Sequence, residues 1–312
     1  MYLESRPQRC YAVAVNRRPT ISCFAALFLC IASLFSAAAP AQVANWMVRT
    51  QPVRLVNGGP VFFQVKPPSR LVSLNGSWRG HDLVFSSDAA SRTWFALAGV
   101  PLDTKPGVYP LELTGEDESN HQVTFTAKVN VAAGRYPKIK AGLSVDSKFT
   151  EPTPEQKIQI EAAQKIKKDY LNRVTPERQW SGEFTAPVRA AISDVFGSQR
   201  IFNGKTSSPH MGLDFRVPRG TAVSAMNDGT VLLARPLYFE GNLVVLDHGQ
   251  GLLSFYLHLS EFEVKEGDRV KRGQIVGLSG GTGRTTGPHL HAAVRWQGEY
   301  LDPAALLRLQ LP

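Results

Sequence analysis

Apolar positions along this chain follow three different rhythms. Between residues 21 and 39 they are nearly continuous. From Trp46 to about Ala133 they come in short or alternating runs at 61–65, 83–85, 93–97, 108–113 and 123–131, separated by Asn57-Gly58-Gly59, Asn75-Gly76 and Lys105-Pro106-Gly107. That spacing predicts a small β-sandwich of about seven strands. The rhythm then becomes helical. Thr153-Pro154-Glu155-Gln156 is a capping-box arrangement with proline at the first helical position. A helix is expected from 154 to about 172, with Ile158, Ile160, Ala163 and Ile166 partly buried. Short runs return at 221–225, 230–234, 243–247, 252–257 and 275–278, broken by glycine turns. A closing helix should start from Asp302 as N-cap and Pro303 at N1 and run through Leu309.

The expected fold is therefore mainly β: a β-sandwich-like N-terminal module over 42–134, a linker with a helix over 135–179, and a C-terminal antiparallel β domain over 180–312. Residues 1–41 have the anatomy of a secretory signal peptide. Arg6, Arg9, Arg17 and Arg18 precede the apolar run, and Ala39-Pro40-Ala41 offers a small-residue cleavage site. The competing reading is an uncleaved anchor, since 19 apolar residues can cross a bilayer about 30 Å thick. Cleavage after Ala41 would leave no stable membrane span. It would also remove all three cysteines (Cys10, Cys23 and Cys30), so neither disulfides nor thiolate metal sites are expected in the remainder. The 271 residues left are enough for a core of their own.

Charge adds one constraint. The whole chain carries a formal net charge of +9, and 31 basic against 25 acidic residues remain after position 41. A basic exported protein is drawn to acidic polymers such as wall and lipid phosphates. No basic run with interleaved aromatics is present, so nucleic acid is not an expected partner.

The candidate chemistry lies between His210 and His291, where five of the seven histidines fall. Histidine and aspartate at these spacings suit a zinc site. His289 and His291 are two apart, which on a strand places both on one face about 6.6 Å apart. His210 and Asp214 are four apart, or about 13 Å along a straight strand. The chain must fold back between them, with Gly212 providing backbone freedom, in a loop that enters a strand. The glycine-rich stretch 280–287 lacks the Gly-Lys-Ser/Thr ending of a phosphate loop and precedes a strand, so it is not one.

Together, His210-x-x-x-Asp214, Tyr256-x-His258-Leu259 and Gly280-x-Thr-Gly-x-x-x-Gly-Pro-His289-Leu-His291 resemble the M23 (lysostaphin-like, LytM-type) zinc metallopeptidases over about residues 180–310. The stretch 94–111 also resembles a module that precedes such domains in some envelope proteins. The resemblance implies that His210, Asp214 and His291 bind Zn2+ and that His258 and His289 flank the activated water. No position of that five-residue pattern is missing. His248 matches a turn of the family and is expected to be structural, while Tyr256 is a candidate additional donor. His81 and His121 have no ligand partners nearby in sequence and read as surface or turn residues.

With export, the resemblance implies an endopeptidase of the periplasm or cell envelope. It would hydrolyse peptide cross-links of peptidoglycan with zinc-activated water as nucleophile. A non-catalytic regulator of a cell-wall amidase, built on the same groove, is the alternative. The N-terminal module reads equally as a spacer or a substrate-positioning unit. The linker helix reads as simple packing or as a restraint on the groove.

Overall fold

The computed structural model describes residues 45–88, 90–137 and 140–312, so the expected leader over 1–41 lies outside the described residues. Alternating strands and glycine turns build two sheets in the N-terminal part. One contains Met47–Gln51, Pro60–Lys66, Thr93–Gly99 and Ser86–Asp88; the other contains Leu55–Val56, Gln122–Ala132, Gly107–Glu116, Ser73–Trp78 and His81–Val84. Among the described residues this part has nine strands where about seven were expected. Leu55–Val56 and Ser86–Asp88 are too short to leave a periodic signal. Phe63, Trp78, Leu111 and Leu113 are almost fully buried between the sheets, and Phe62 is buried on the opposite face of its strand. Each such side chain contributes about 1.5–3 kcal/mol. The Trp78 indole N–H donates to the carbonyl of Gly99 at 2.8 Å, so its polar tip is satisfied inside the core.

Helix α1 spans Pro154–Leu171 and its capping box closes in both directions. The Gln156 N–H donates to Thr153 Oγ1 at 3.3 Å, and the Thr153 N–H to Gln156 Oε1 at 2.9 Å. Its buried stripe runs through Ala163, Ile166, Tyr170 and Leu171. Ile158 corrects the expectation, being 67% exposed. It lies five residues before Ala163, about 140° around the helix from that stripe. The linker also holds a strand, Lys140–Leu143, that pairs in parallel with Gln199–Phe202. Four residues without alternation gave no local sign of this distant partner.

The C-terminal part is organised by an antiparallel sheet of eight strands. Across it run Ile192–Asp194, Leu213–Phe215, Leu290–Trp296, Leu252–Leu259, Gly241–Asp247, Gly229–Leu237 and Arg269–Val270, with Glu299–Leu301 also paired to Leu290–Trp296. On one face, Leu233, Leu243, Val245, Leu253, Phe255 and Ala293 pack under α1. The other face joins a larger core shared with the sandwich. At that junction Leu301 fills the space above Gly99, where a Cβ would lie 2.5 Å from Leu301 Cδ2. The Asp302 N–H donates to Gly58 O at 2.7 Å, and His81 packs edge-on against Trp296 with ring centroids 5.0 Å apart. The closing helix, Pro303–Leu306, has the expected cap, with Asp302 Oδ1 accepting from the Ala304 N–H at 2.9 Å. It ends earlier than expected. Arg308 and Leu309 continue with i→i−3 bonds to Ala305 and Leu306 in place of a further α-turn.

Leu301→Ala should leave a cavity at this junction and cost about 2–5 kcal/mol. Urea unfolding should show a lower midpoint at an unchanged slope. An unchanged midpoint would mean that the junction lies outside the cooperative core.

Candidate metal centre

Strand register brings the first two groups together. Asp214 lies directly opposite His291, and Leu257 faces His291 from the other side. Directly opposed residues project to the same face, so carboxylate and imidazole meet without help from a loop. His210 precedes the Leu213–Phe215 strand and is held by two backbone bonds. Its N–H donates to Ser198 O at 2.8 Å, and the Gly197 N–H donates to its carbonyl at 2.7 Å. The ring then reaches back over the sheet. Three atoms converge: His210 Nε2 is 3.1 Å from Asp214 Oδ1, His291 Nδ1 is 2.8 Å from the same oxygen, and the two nitrogens are 2.9 Å apart.

Gly212 is needed here for a reason other than the one expected. Its φ is not among the positive glycine values. A Cβ there would lie 2.5 Å from Ala292 O and 2.6 Å from His291 Nε2. What it supplies is room for the neighbouring strand and ring.

The proton positions show what this cluster can hold. A carbonyl only accepts, so His210 Nδ1, 2.9 Å from Val195 O, carries the ring proton. In the neutral ring His210 Nε2 is then a bare lone pair, pointing at a carboxylate oxygen and a second imidazole nitrogen. Three electron-rich atoms within 4.8 Å of one another call for a cation between them. Their spacing lets one small ion touch all three at zinc–ligand distances of about 2.0–2.2 Å. Two neutral imidazoles and one carboxylate are a donor set that zinc takes well. Burial pushes the Asp214 carboxyl up, but the imidazoles of His210 and His291 beside it outweigh that effect and hold it far below the usual carboxylate range. Burial pulls His291 down to about 4, against the opposing pull of Asp214.

Two more imidazoles face the same place. His258 Nδ1 donates to Thr282 O at 2.8 Å, and His289 Nδ1 donates to Gly287 O at 2.8 Å. Both rings are thereby fixed in one tautomer, with Nε2 left as the basic nitrogen. His289 Nε2 lies 3.8 Å from Asp214 Oδ1, and the His258 and His289 ring centroids are 4.9 Å apart. Burial, and then the neighbouring His289 and His291, hold His258 well below the ordinary imidazole value.

Simple alternation would not put His258 here. Phe255 and Leu257 share the face of His291, whereas Tyr256 lies opposite Ala292 on the reverse face. Between Tyr256 and Leu259 the strand carries one residue more than its partner, and His258 adopts φ 63°. A left-handed non-glycine residue costs about 1–2 kcal/mol. The Thr282 bond and the His258 N–H bond to Glu240 O at 3.0 Å hold the bulge in place. The bulge turns the His258 ring toward the metal face.

Tyr256 is no part of the site. Its hydroxyl accepts from the Met226 N–H at 2.7 Å, deep in the core on the other face. His248 is structural, as expected: Nδ1 donates to Asp228 O at 2.6 Å, and Nε2 lies 2.8 Å from Ser254 Oγ. Sequence reading gave no role to Arg200 or Asp194. The Arg200 guanidinium bonds Asp214 Oδ2 and also reaches Asp194, with Nε to Oδ2 at 2.8 Å. No spacing rule links an aspartate, an arginine and a ligand that meet only through pairing of separate strands. A cavity of about 270 Å³ adjoins His210 and His291, bordered by Lys167 of α1, Phe239, Glu240, His258 and Arg284.

Residues 208–303 match the sequence family described as Peptidase family M23. Among curated proteins, the peptidoglycan DD-endopeptidase ShyA of Vibrio cholerae is 44% identical over 122 residues, 39% of this chain and 28% of that protein. The DD-carboxypeptidase/endopeptidase Mpg of Neisseria meningitidis is 39% identical over 119 residues, 38% of this chain and 27% of that protein. The chain thus spans about a quarter of the length of the curated relatives it matches. A crystal structure described as a peptidase M23 from Pseudomonas aeruginosa aligns with a TM-score of 0.63 at 30% identity, covering 81% of this chain and 95% of that one.

Gly212→Ala should displace His291 or the strand carrying it and weaken metal binding about 10- to 100-fold, by analogy with loss of a group that orients a ligand. Competition with a chelator would measure this, and unchanged affinity would refute the space argument. His248 makes a second prediction. Burial pulls its pKa to about 4, against about 6.5 when unfolded. Below about 6.5 the unfolded chain therefore binds a proton that the folded chain refuses. The stabilisation from this group is complete above about 6.5 and is lost as pH falls toward 4, to a total of about 3 kcal/mol. A nuclear magnetic resonance titration placing His248 near 6.5 would refute its burial as a neutral ring.

Proposed function

This chain belongs to peptidase family M23, and from that premise we propose that it is an exported zinc metalloendopeptidase that hydrolyses peptide cross-links of bacterial peptidoglycan. The observation that carries the reading is the meeting of three lone-pair donors beside two imidazoles of fixed tautomer. The names of the relatives, DD-endopeptidases of peptidoglycan, support the substrate class. The leader-like sequence over 1–41 supports export to the periplasm or envelope, and the basic balance of the remainder suits an acidic wall.

His210 Nε2, Asp214 Oδ1 and His291 Nδ1 would hold the zinc ion. When bound, zinc supplies a Lewis acid with an open position, polarising a peptide carbonyl and making water more acidic. The remaining work falls to the chain itself. His258 and His289 present Nε2 lone pairs, because the Thr282 and Gly287 carbonyls hold the protons on Nδ1. One of them accepts the proton of the attacking water as the new C–O bond forms. The proton then passes to the departing amine nitrogen as the C–N bond breaks. The imidazolium formed in between donates toward the developing oxyanion. Arg200 compensates the second oxygen of Asp214 and keeps that carboxylate ionised and oriented.

In this reading residues 180–312 form the peptidase domain. The module over 42–134 spaces it or positions substrate, and the linker over 135–179 lays α1 beside the cavity.

His291→Ala should abolish both zinc binding and hydrolysis. His289→Ala should retain about one zinc per chain while turnover falls about 10²–10⁴-fold, the usual size of a general acid–base contribution. Full activity in His289→Ala would refute its role. Product analysis on purified peptidoglycan tests the larger claim. New stem-peptide products identify an endopeptidase, whereas an amidase regulator would bind zinc and release nothing.

A further inference from the structure

The cations around the metal centre differ in what neutralises them. Lys167 Nζ is bonded to Glu240 Oε1 at 2.6 Å, and Arg200 holds both Asp194 and Asp214. Arg284 has no bonded acid partner and feels Glu240 only through its charge. Among the described residues, no carboxylate or carbonyl accepts from its guanidinium. The group lies instead against two aromatic rings, 5.2 Å from the Phe202 centroid and 4.9 Å from that of Phe239. Stacking of this kind fixes a guanidinium plane while leaving its in-plane N–H donors open.

The backbone under Arg284 is equally well fixed. Its N–H donates to Phe239 O at 2.8 Å. Two residues earlier, Thr282 O accepts from the His258 Nδ1–H, and Thr282 Oγ1 donates to Leu259 O at 2.8 Å. Arg284 borders the cavity shared by His210, His258 and His291, and also the depression on the side of Asp214 and His289. The cation is therefore tied through one short loop to His258 and lines both hollows beside the site.

Partial burial of a five-donor cation without an acceptor is unfavourable unless a ligand supplies the acceptor. Burial also pulls its pKa below the ordinary guanidinium value. A guanidinium nevertheless stays protonated inside proteins, so the charge persists. Asp194 and Asp214 are bonded to Arg200, and Glu240 Oε1 to Lys167, which leaves Glu240 Oε2 buried without a bonded partner and the in-plane donors of Arg284 open toward the cavity. A planar fork of N–H donors matches a carboxylate best, in a bidentate pair.

We propose that Arg284 is a specificity-determining residue that holds a free carboxylate of the substrate next to the scissile amide. The preferred bond is then one whose neighbouring residue keeps a free carboxyl group, as in a stem-peptide cross-link, and not one inside a neutral glycine bridge. This rests on the peptidase reading above.

The test uses two synthetic cross-linked peptides that differ only in whether that carboxylate is free or amidated. Zinc-loaded wild type, Arg284→Gln and Arg284→Lys are compared by kcat/KM and by calorimetric Kd, with zinc content measured for each. Wild type should favour the free carboxylate about 10- to 100-fold, the range for a charge-assisted bond in a partly buried site. Arg284→Gln should lose that preference, chiefly through KM, and should handle the amidated peptide as wild type does. Arg284→Lys should recover part of it. Equal losses on both peptides would overturn the assignment and make Arg284 a purely structural residue. If wild type cleaves neither peptide, the peptidase reading fails and calorimetry decides this one. Carboxylate-dependent binding that Arg284→Gln removes upholds it, and binding without that dependence, or no binding, overturns it.

Discussion

Asp214 Oδ1 receives two imidazole nitrogens, from His210 and His291, at hydrogen-bonding distance, and the surrounding structure is arranged so that this crowding persists. Lone pairs placed so close repel one another unless a cation lies among them. Their positions must therefore be imposed from outside the cluster. Asp214 and His291 are a directly opposed pair within an eight-stranded sheet, and a slip of one residue between their strands would put the two side chains on opposite faces. The hydrophobic packing of both sheet faces thus acts as the restraint on the site. Removing Cβ at position 212 is the local condition that lets the second strand come close enough.

Around that centre the polar groups are matched in pairs with little left over. Val195, Thr282 and Gly287 offer backbone carbonyls to three Nδ1 atoms, and each of those bonds decides which nitrogen of a ring faces inward. Arg200 binds the outer oxygen of Asp214 and connects it to Asp194. Such pairing makes the site rigid and gives each histidine one tautomer, which acid–base chemistry requires. Glu240 Oε2 and Arg284 stand outside this pairing: the oxygen is buried without a bonded partner, and the guanidinium is supported by rings and not by bonded acids, so that its donors stay open.

Features set by neighbours in sequence were readable from the chain. The capping box of α1 depends on residues three apart, and both of its hydrogen bonds are present. The Asp302 cap follows the same logic, although the helix beyond it is shorter than its composition suggests. Alternation marked the longer strands and a mainly β fold. The five residues His210, Asp214, His258, His289 and His291 could be named in advance because their residue types and order are unusual together. The structure brings all five to one place.

What the sequence determined by itself was therefore local: element types, caps, and the identity of the side chains able to do chemistry. Tertiary structure decided everything that depends on register or on a distant partner. Strict alternation puts Tyr256 and His258 on one face, yet a single extra residue and a left-handed backbone send them to opposite faces. The roles of Arg200 and Asp194, and the aromatic cradle of Arg284, arise where separate strands and loops meet. The exposure of Ile158 was settled by which side of α1 the sheet covers. A linear pattern records which groups a chain owns, and only the packing of strand on strand sets the ångström-scale distances at which those groups share an ion or a proton.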